Sequence, residues 1–143
     1  MSQRIIYTAA DGNMCVIVPA PEAQWTDVMK TIPNGVDYEV VDVSEVPSDR
    51  TFRNAWVHAK GQSNKVGVDL PKAKEIVHTK RRERRQIELA PLDQLININV
   101  AKPQTVATIE AQRQVIRDKY AKIQIDIDSA PGVPELKLII EGL

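Results

Sequence analysis

Residues 105–129 read TVATIEAQRQVIRDKYAKIQIDIDS and contain neither glycine nor proline. This composition predicts one long helix over 105–129. A second helix is predicted over about 71–89, with Asp69 as its N-cap and Pro91 as its end. The alternating apolar and polar residues of 96–100 predict a short extended segment between the two helices.

The long helix carries an apolar stripe with heptad spacing. Its positions are separated by three and four residues in turn, with one polar break at Arg113. Isoleucines at successive stripe positions are compatible with trimers or tetramers. Two interpretations stay open: the stripe packs on the 71–89 helix of the same chain, or it serves self-association or docking on a partner. The stripe comprises Val106, Ile109, Arg113, Ile116, Tyr120, Ile123, Ile127 and Ala130.

The first 70 residues predict a small α+β unit. Two apolar runs flank the turn signal Asp11-Gly12-Asn13, which indicates a β-hairpin. A short helix is expected over 21–30, a third strand over 37–43, and pairing of Val66 and Val68 with the segment around Trp56. The predicted fold class is therefore α+β: a hairpin-containing unit, 1–70, followed by a mainly helical region, 71–143.

Composition limits the class of protein. The 143 residues are 43% hydrophobic and have a formal net charge of zero, which is typical of a globular chain. Cys15 is the only cysteine, so an intramolecular disulfide is excluded. The sequence has no apolar run of the length needed for a signal peptide or a membrane span. We therefore expect a protein that works in a cytoplasm or in a particle assembled there, with no membrane partner.

Positive charge is concentrated in residues 72–85. Seven cations stand against two acids there, so this segment carries +5 and the remainder of the chain −5. Three interpretations compete: a solvated helix face that meets the acidic segment 37–49, an acidic protein partner, or nucleic acid. Nucleic acid is the least favoured, because helical geometry points these cations around most of the circumference and no aromatic residue is interleaved with them.

Chemistry-bearing motifs are absent from the sequence. His58 and His78 have no companion at metal-ligand spacing, and Asp126 with Asp128 supplies too few oxygens for a calcium loop. No phosphate-binding loop, dinucleotide fingerprint or nucleophile elbow occurs. We predict no catalytic residue, no metal site and no cofactor.

Three segments resemble small proteins of tailed-phage and prophage tail regions: 46–56 (VPSDRTFRNAW), 69–76 (DLPKAKEI) and 111–121 (AQRQVIRDKYA). The run 81–93 (RRERRQIELAPLD) is similar to the arginine-rich signature of phage tail assembly chaperones. The resemblance implies a role in tail morphogenesis or tail structure, and no reaction.

The expected function is that of a non-enzymatic tail-associated protein, either a minor tail component or an assembly factor for tail or fibre proteins. It would act in the bacterial host cytoplasm during assembly or in the virion tail, with a tail or fibre protein as partner. A homo-oligomer is a further expectation. The alternative is a small nucleic-acid-binding regulator that uses the basic helix 72–85. The candidate partner contacts are Arg81, Arg82, Arg84, Arg85, Ile109, Ile116, Tyr120, Ile123 and Ile127.

Overall fold

The fold is α+β, as the sequence predicts, with a three-stranded antiparallel sheet followed by a mainly helical half. The structure is a computed structural model and describes residues 2–143. It divides into two compact units, the first ending at Lys72 and the second covering Ala73–Leu143. The elements are β1 (Gln3–Thr8), β2 (Met14–Ile17), α1 (Trp25–Lys30), β3 (Tyr38–Asp42), β4 (Trp56–His58), β5 (Val66–Val68), α2 (Leu70–Ile98), α3 (Pro103–Ser129) and α4 (Val133–Glu141).

The sheet of the first unit has the strand order β2-β1-β3. The predicted hairpin is confirmed: Ile6 pairs with Val16, and Gly12 occupies the left-handed region at φ 85° in the turn. Asp11 stabilises this turn, because its carboxylate accepts a hydrogen bond from the backbone N–H of Asn13 at 2.9 Å. The central strand β1 is therefore fixed on both edges, and its Ile6 is fully buried.

The core of this unit joins the sheet to the β4–β5 hairpin. Val66 and Val68 pair with the segment around Trp56, as predicted. Arg53 stabilises the junction twice, since its guanidinium donates to the Met14 carbonyl at 3.0 Å and stacks 5.0 Å from the Trp56 ring centre. The core cluster consists of Ile6, Met14, Val41, Trp56 and Val66.

The acidic segment 37–49 has partners inside the first unit. Glu39 lies 2.7 Å from Lys65 Nζ and 3.0 Å from His58 Nε2, and Asp37 lies 2.7 Å from Lys60 Nζ. Two hydrogen bonds hold the pKa of Glu39 below its usual value: the one from Lys65 has the larger effect and the one from His58 the smaller.

Helix α2 begins where the sequence predicts and continues further. The Asp69 carboxylate accepts a hydrogen bond from the backbone N–H of Lys72 at 3.2 Å, which confirms the predicted N-cap. The predicted end at Pro91 is wrong, because α2 runs through this proline to Ile98. The predicted extended segment 96–100 is also wrong, since most of it is the last turn of α2.

Burial explains why Pro91 does not end the helix. Proline inside a helix costs about 3 kcal/mol. Leu89 is buried, while Leu92 and Ile96 are half-buried at a spacing of three and four residues, so they continue one helical stripe past the proline. Burying an aliphatic side chain contributes about 1.5–3 kcal/mol, so this stripe offsets the proline penalty. Pro91 itself lies on the exposed side of α2.

Helices α3 and α4 complete the second unit. A short turn, in which the Lys102 N–H donates to the Asn99 carbonyl at 2.8 Å, connects α2 to α3. Helix α4 packs against α3, and both Ile127 of α3 and Leu136 of α4 are fully buried. The second unit therefore has its own core.

We predict that Ile6→Ala lowers the free energy of unfolding of the first unit by about 2–5 kcal/mol, because it leaves a cavity beneath the central strand. Tryptophan fluorescence during urea unfolding measures this, since both tryptophans lie in the first unit. Val40→Ala is the matched control, because Val40 is 38% exposed and lies on the opposite face of β3 from the buried Val41. Equal losses for the two variants would contradict the assigned core.

We also predict that Glu39 makes the first unit sensitive to acid. Its pKa is lowered in the folded protein, so its contribution to stability is present above its usual pKa of about 4.5 and is lost as the pH falls through the lowered value. Glu39→Gln should therefore reduce stability at neutral pH and flatten the loss on acidification. Urea midpoints across the acid range measure this, and Glu22→Gln in an exposed loop is the control. An unchanged acid slope in Glu39→Gln would exclude the assignment.

Candidate docking surface on the helical hairpin

Helices α2 and α3 form an antiparallel hairpin whose register is set by side-chain pairs. The pairs run from one end of the hairpin to the other: His78 with Asp128, Arg81 with Gln124, Glu88 with Lys119, and Asp93 with Arg113. Their separations are 2.8, 3.1, 3.0 and 2.9 Å in that order. Arg113, the polar break in the stripe, therefore belongs to one of the pairs that connect α3 to α2.

The heptad stripe of α3 packs within the chain. Ile109, Tyr120 and Ile127 are buried, and Tyr120 shares a hydrogen bond with Glu88 of α2. Burial raises the pKa of Tyr120 above its usual value, and the Glu88 carboxylate raises it further. These buried positions favour the first of the two interpretations, in which the stripe packs on α2 of the same chain. Ile116 and Ile123 are half-buried, and their role in partner binding stays a prediction.

The four arginines predicted as partner contacts lie in different environments. Arg81 is 7% exposed and donates to Gln124, whereas Arg82 is exposed and ion-paired with Glu75. Arg84 is half-buried, and Arg85 is exposed. The cluster is therefore not one continuous cationic face, which agrees with the divergence expected from helical geometry.

A row of exposed apolar side chains follows one flank of the hairpin. On α2, Ile87, Leu95 and Ile98 are 59%, 43% and 76% exposed, and the exposed Pro91 lies between the first two. Their spacing of four, four and three residues places them on one side of the helix. This row is absent from the sequence-based predictions because the predicted helix ends at Pro91. The signal was present in the spacing of 87, 91, 95 and 98.

A groove between the two helices adjoins this row. It encloses about 450 Å³ and is lined by apolar groups of both helices, including Pro91 and Leu92 of α2 and Val115 and Ile116 of α3. Val115 is 68% exposed at its rim. The ionised group in its lining, Glu88, is paired with Lys119, so the groove presents mainly hydrocarbon to a ligand.

The histidines and acids that the sequence analysis considered as metal ligands pair with other residues. His58 contacts Glu39, His78 contacts Asp128, and Asp126 accepts from Lys122 at 3.0 Å. Among residues 2–143, the structure contains no group of three or more His, Cys, Asp or Glu placed to hold a metal ion. Within the same residues, no helix has the length and apolarity needed to cross a bilayer.

Comparison of the chain with protein-family models, with curated proteins and with solved structures finds no match. The resemblance to phage tail proteins therefore stays an expectation from the sequence.

We predict that Ile127→Ala destabilises the second unit by about 2–5 kcal/mol, because Ile127 is fully buried inside the hairpin. Helical circular dichroism during urea unfolding reports this unit, since it contains the long helices. Ile125→Ala is the matched control, because Ile125 lies two positions away and is 65% exposed. If Ile127→Ala lowered the molar mass measured by light scattering and left the stability unchanged, the stripe would instead be assigned to self-association.

Proposed function

We propose that this chain is a non-enzymatic, tail-associated protein of a tailed phage or prophage that acts through protein–protein contacts. It serves either as a minor structural component of the tail or as an assembly factor for tail or fibre proteins. The observation that supports a docking role most directly is the exposed apolar row on α2 beside the groove lined by Val115.

Single exposed apolar residues are ordinary on protein surfaces, whereas contiguous ones mark interaction sites. Here Ile87, Pro91, Leu95 and Ile98 share one side of α2, and the groove continues their surface across to α3. The anchors recur along the helix at a spacing of four and three residues, which suits a partner helix laid along the groove.

The groove chemistry favours an apolar partner surface. Glu88 is neutralised by Lys119, so the groove offers no unpaired charge that would select a charged side chain. An amphipathic helix of a tail or fibre protein, inserting aliphatic side chains, is therefore the occupant we propose. Its affinity comes from removing apolar area from water, at about 25 cal/mol per Å².

The nucleic-acid alternative has less support in the basic helix. Phosphate backbones are bound by several aligned and available cations. In the 72–85 segment Arg81 is buried, Arg82 is paired with Glu75, and Lys74 donates to the Asp128 carbonyl at 2.8 Å. These contacts engage three of the seven cations of the segment, which weakens the case for a phosphate row.

Mass spectrometry of purified virions from the strain that encodes this chain separates the two tail roles. A fixed copy number per particle identifies a structural component. Absence from virions, combined with tail-less particles in electron micrographs after gene deletion, identifies an assembly factor. Absence together with normal tails after deletion would overturn the proposed function.

We predict that Val115→Glu blocks tail incorporation or tail assembly without unfolding the protein, because it places a charge at the rim of the apolar groove. Ile125→Glu is the matched control, since Ile125 is equally exposed on the same helix but does not line the groove. Complementation of the deletion strain, scored by virion mass spectrometry and particle morphology, measures the effect. Full activity of Val115→Glu would exclude the groove as the docking site.

A further inference from the structure

A second pocket lies on the other flank of the hairpin. It encloses about 310 Å³ and is lined by three arginines, Arg81 and Arg85 from α2 and Arg117 from α3, together with Asp118. On α3 the lining positions 114, 117, 121 and 124 lie on the opposite side of the buried stripe from those that line the apolar groove. The two flanks of the hairpin therefore differ in chemistry.

Arg81 is a buried cation without a carboxylate partner in the described chain. It is 7% exposed, its Nη1 donates to the neutral Gln124 amide oxygen at 3.1 Å, and its Nε has no hydrogen-bond partner among residues 2–143. Burial lowers the pKa of Arg81, and the neighbouring Arg82 and Arg85 lower it further, whereas the charges of Asp128 and Glu75 offset this in part. A buried charge of this kind is costly unless an anion compensates it.

Besides Arg81 and Arg85, the charged groups of the lining are Asp118 and Arg117, and neither forms an ion pair with Arg81. Asp118 accepts from Gln114 Nε2 at 2.8 Å. Arg117 is neutralised by Glu110, which lies 2.6 Å away and outside the pocket lining. Arg85 is an exposed residue of the lining and forms no hydrogen bond or ion pair with another residue of 2–143. With Arg117 balanced by Glu110, Arg81 and Arg85 stand against the single carboxylate of Asp118, so the lining keeps a net charge of +1.

We propose that this pocket binds the carboxylate of an aspartate or glutamate in an acidic segment of the protein partner. Guanidinium groups match carboxylates through paired N–H donors, so Arg81 and Arg85 together suit one such group. The size of the pocket fits the end of a side chain, and the dispersal of the remaining cations disfavours a phosphate backbone. This inference rests on the proposed function and names the chemistry of the partner.

The test uses the full chain and a fluorescently labelled oligoglutamate peptide, with binding followed by fluorescence anisotropy. We expect saturable binding that oligoglutamine does not compete away, and a loss of about tenfold in affinity for Arg85→Gln. Lys80→Gln is the matched control, because it removes one exposed charge from the same helix outside the pocket lining. It should change the affinity by less than about twofold.

Four outcomes would overturn the assignment. The first is the absence of saturable peptide binding, and the second is an equal loss of peptide affinity in Arg85→Gln and Lys80→Gln. The third is competition by inorganic phosphate at the same concentration as the peptide. The fourth is tighter binding of a single-stranded oligonucleotide than of the peptide, with both variants weakening it. The first two exclude a defined site, the third indicates a free-anion site, and the fourth indicates nucleic acid.

The two proposals fail separately. If Val115→Glu blocks tail assembly while Arg85→Gln binds oligoglutamate like the unchanged protein, the docking function stands and the carboxylate pocket is wrong. If Arg85→Gln loses the peptide while Val115→Glu assembles normal tails, the pocket stands and the docking role of the apolar groove is wrong.

Discussion

The polar pairs across the hairpin hold α2 and α3 in one antiparallel register, and the surfaces of the second unit follow from that register. A heptad stripe repeats, so apolar packing alone tolerates a slip by one repeat, and the short turn at Asn99–Lys102 and the polar pairs together oppose it. The pairs Glu88–Lys119 and Asp93–Arg113 are lost by any such slip. Each is partly exposed and contributes only about 0–1 kcal/mol, so the pairs select a register more than they stabilise the fold. Both pockets are lined by residues of α2 and α3, and both require this alignment.

The predictable parts of the fold are those that local chemistry decides. The turn at Asp11-Gly12-Asn13 needs a left-handed residue, and the Asp69 cap needs only a carboxylate beside free N–H groups. Pro91 was misleading because its cost is local whereas its compensation is tertiary. Leu92 and Ile96 gain burial from the packing of the hairpin, and that gain is visible only once the helices are paired.

The surface features were less predictable than the fold. A charge count finds the basic segment 72–85, but it does not tell which cations are paired. Arg81 and Arg82 are adjacent in sequence, yet one is buried beside Gln124 and the other is exposed beside Glu75. The apolar row was recoverable from its spacing across Pro91, whereas the pocket around Arg81 required the position of α3.

In the two proposals, the flanks of the hairpin supply complementary parts of recognition. Apolar surface gives affinity without direction, while charged groups set orientation and exclude wrong partners. The groove beside Val115 and the pocket around Arg81 lie on opposite sides of the buried stripe of α3. A single rigid helix therefore reaches only one of them. A partner that uses both must pass around the hairpin or be present in two copies.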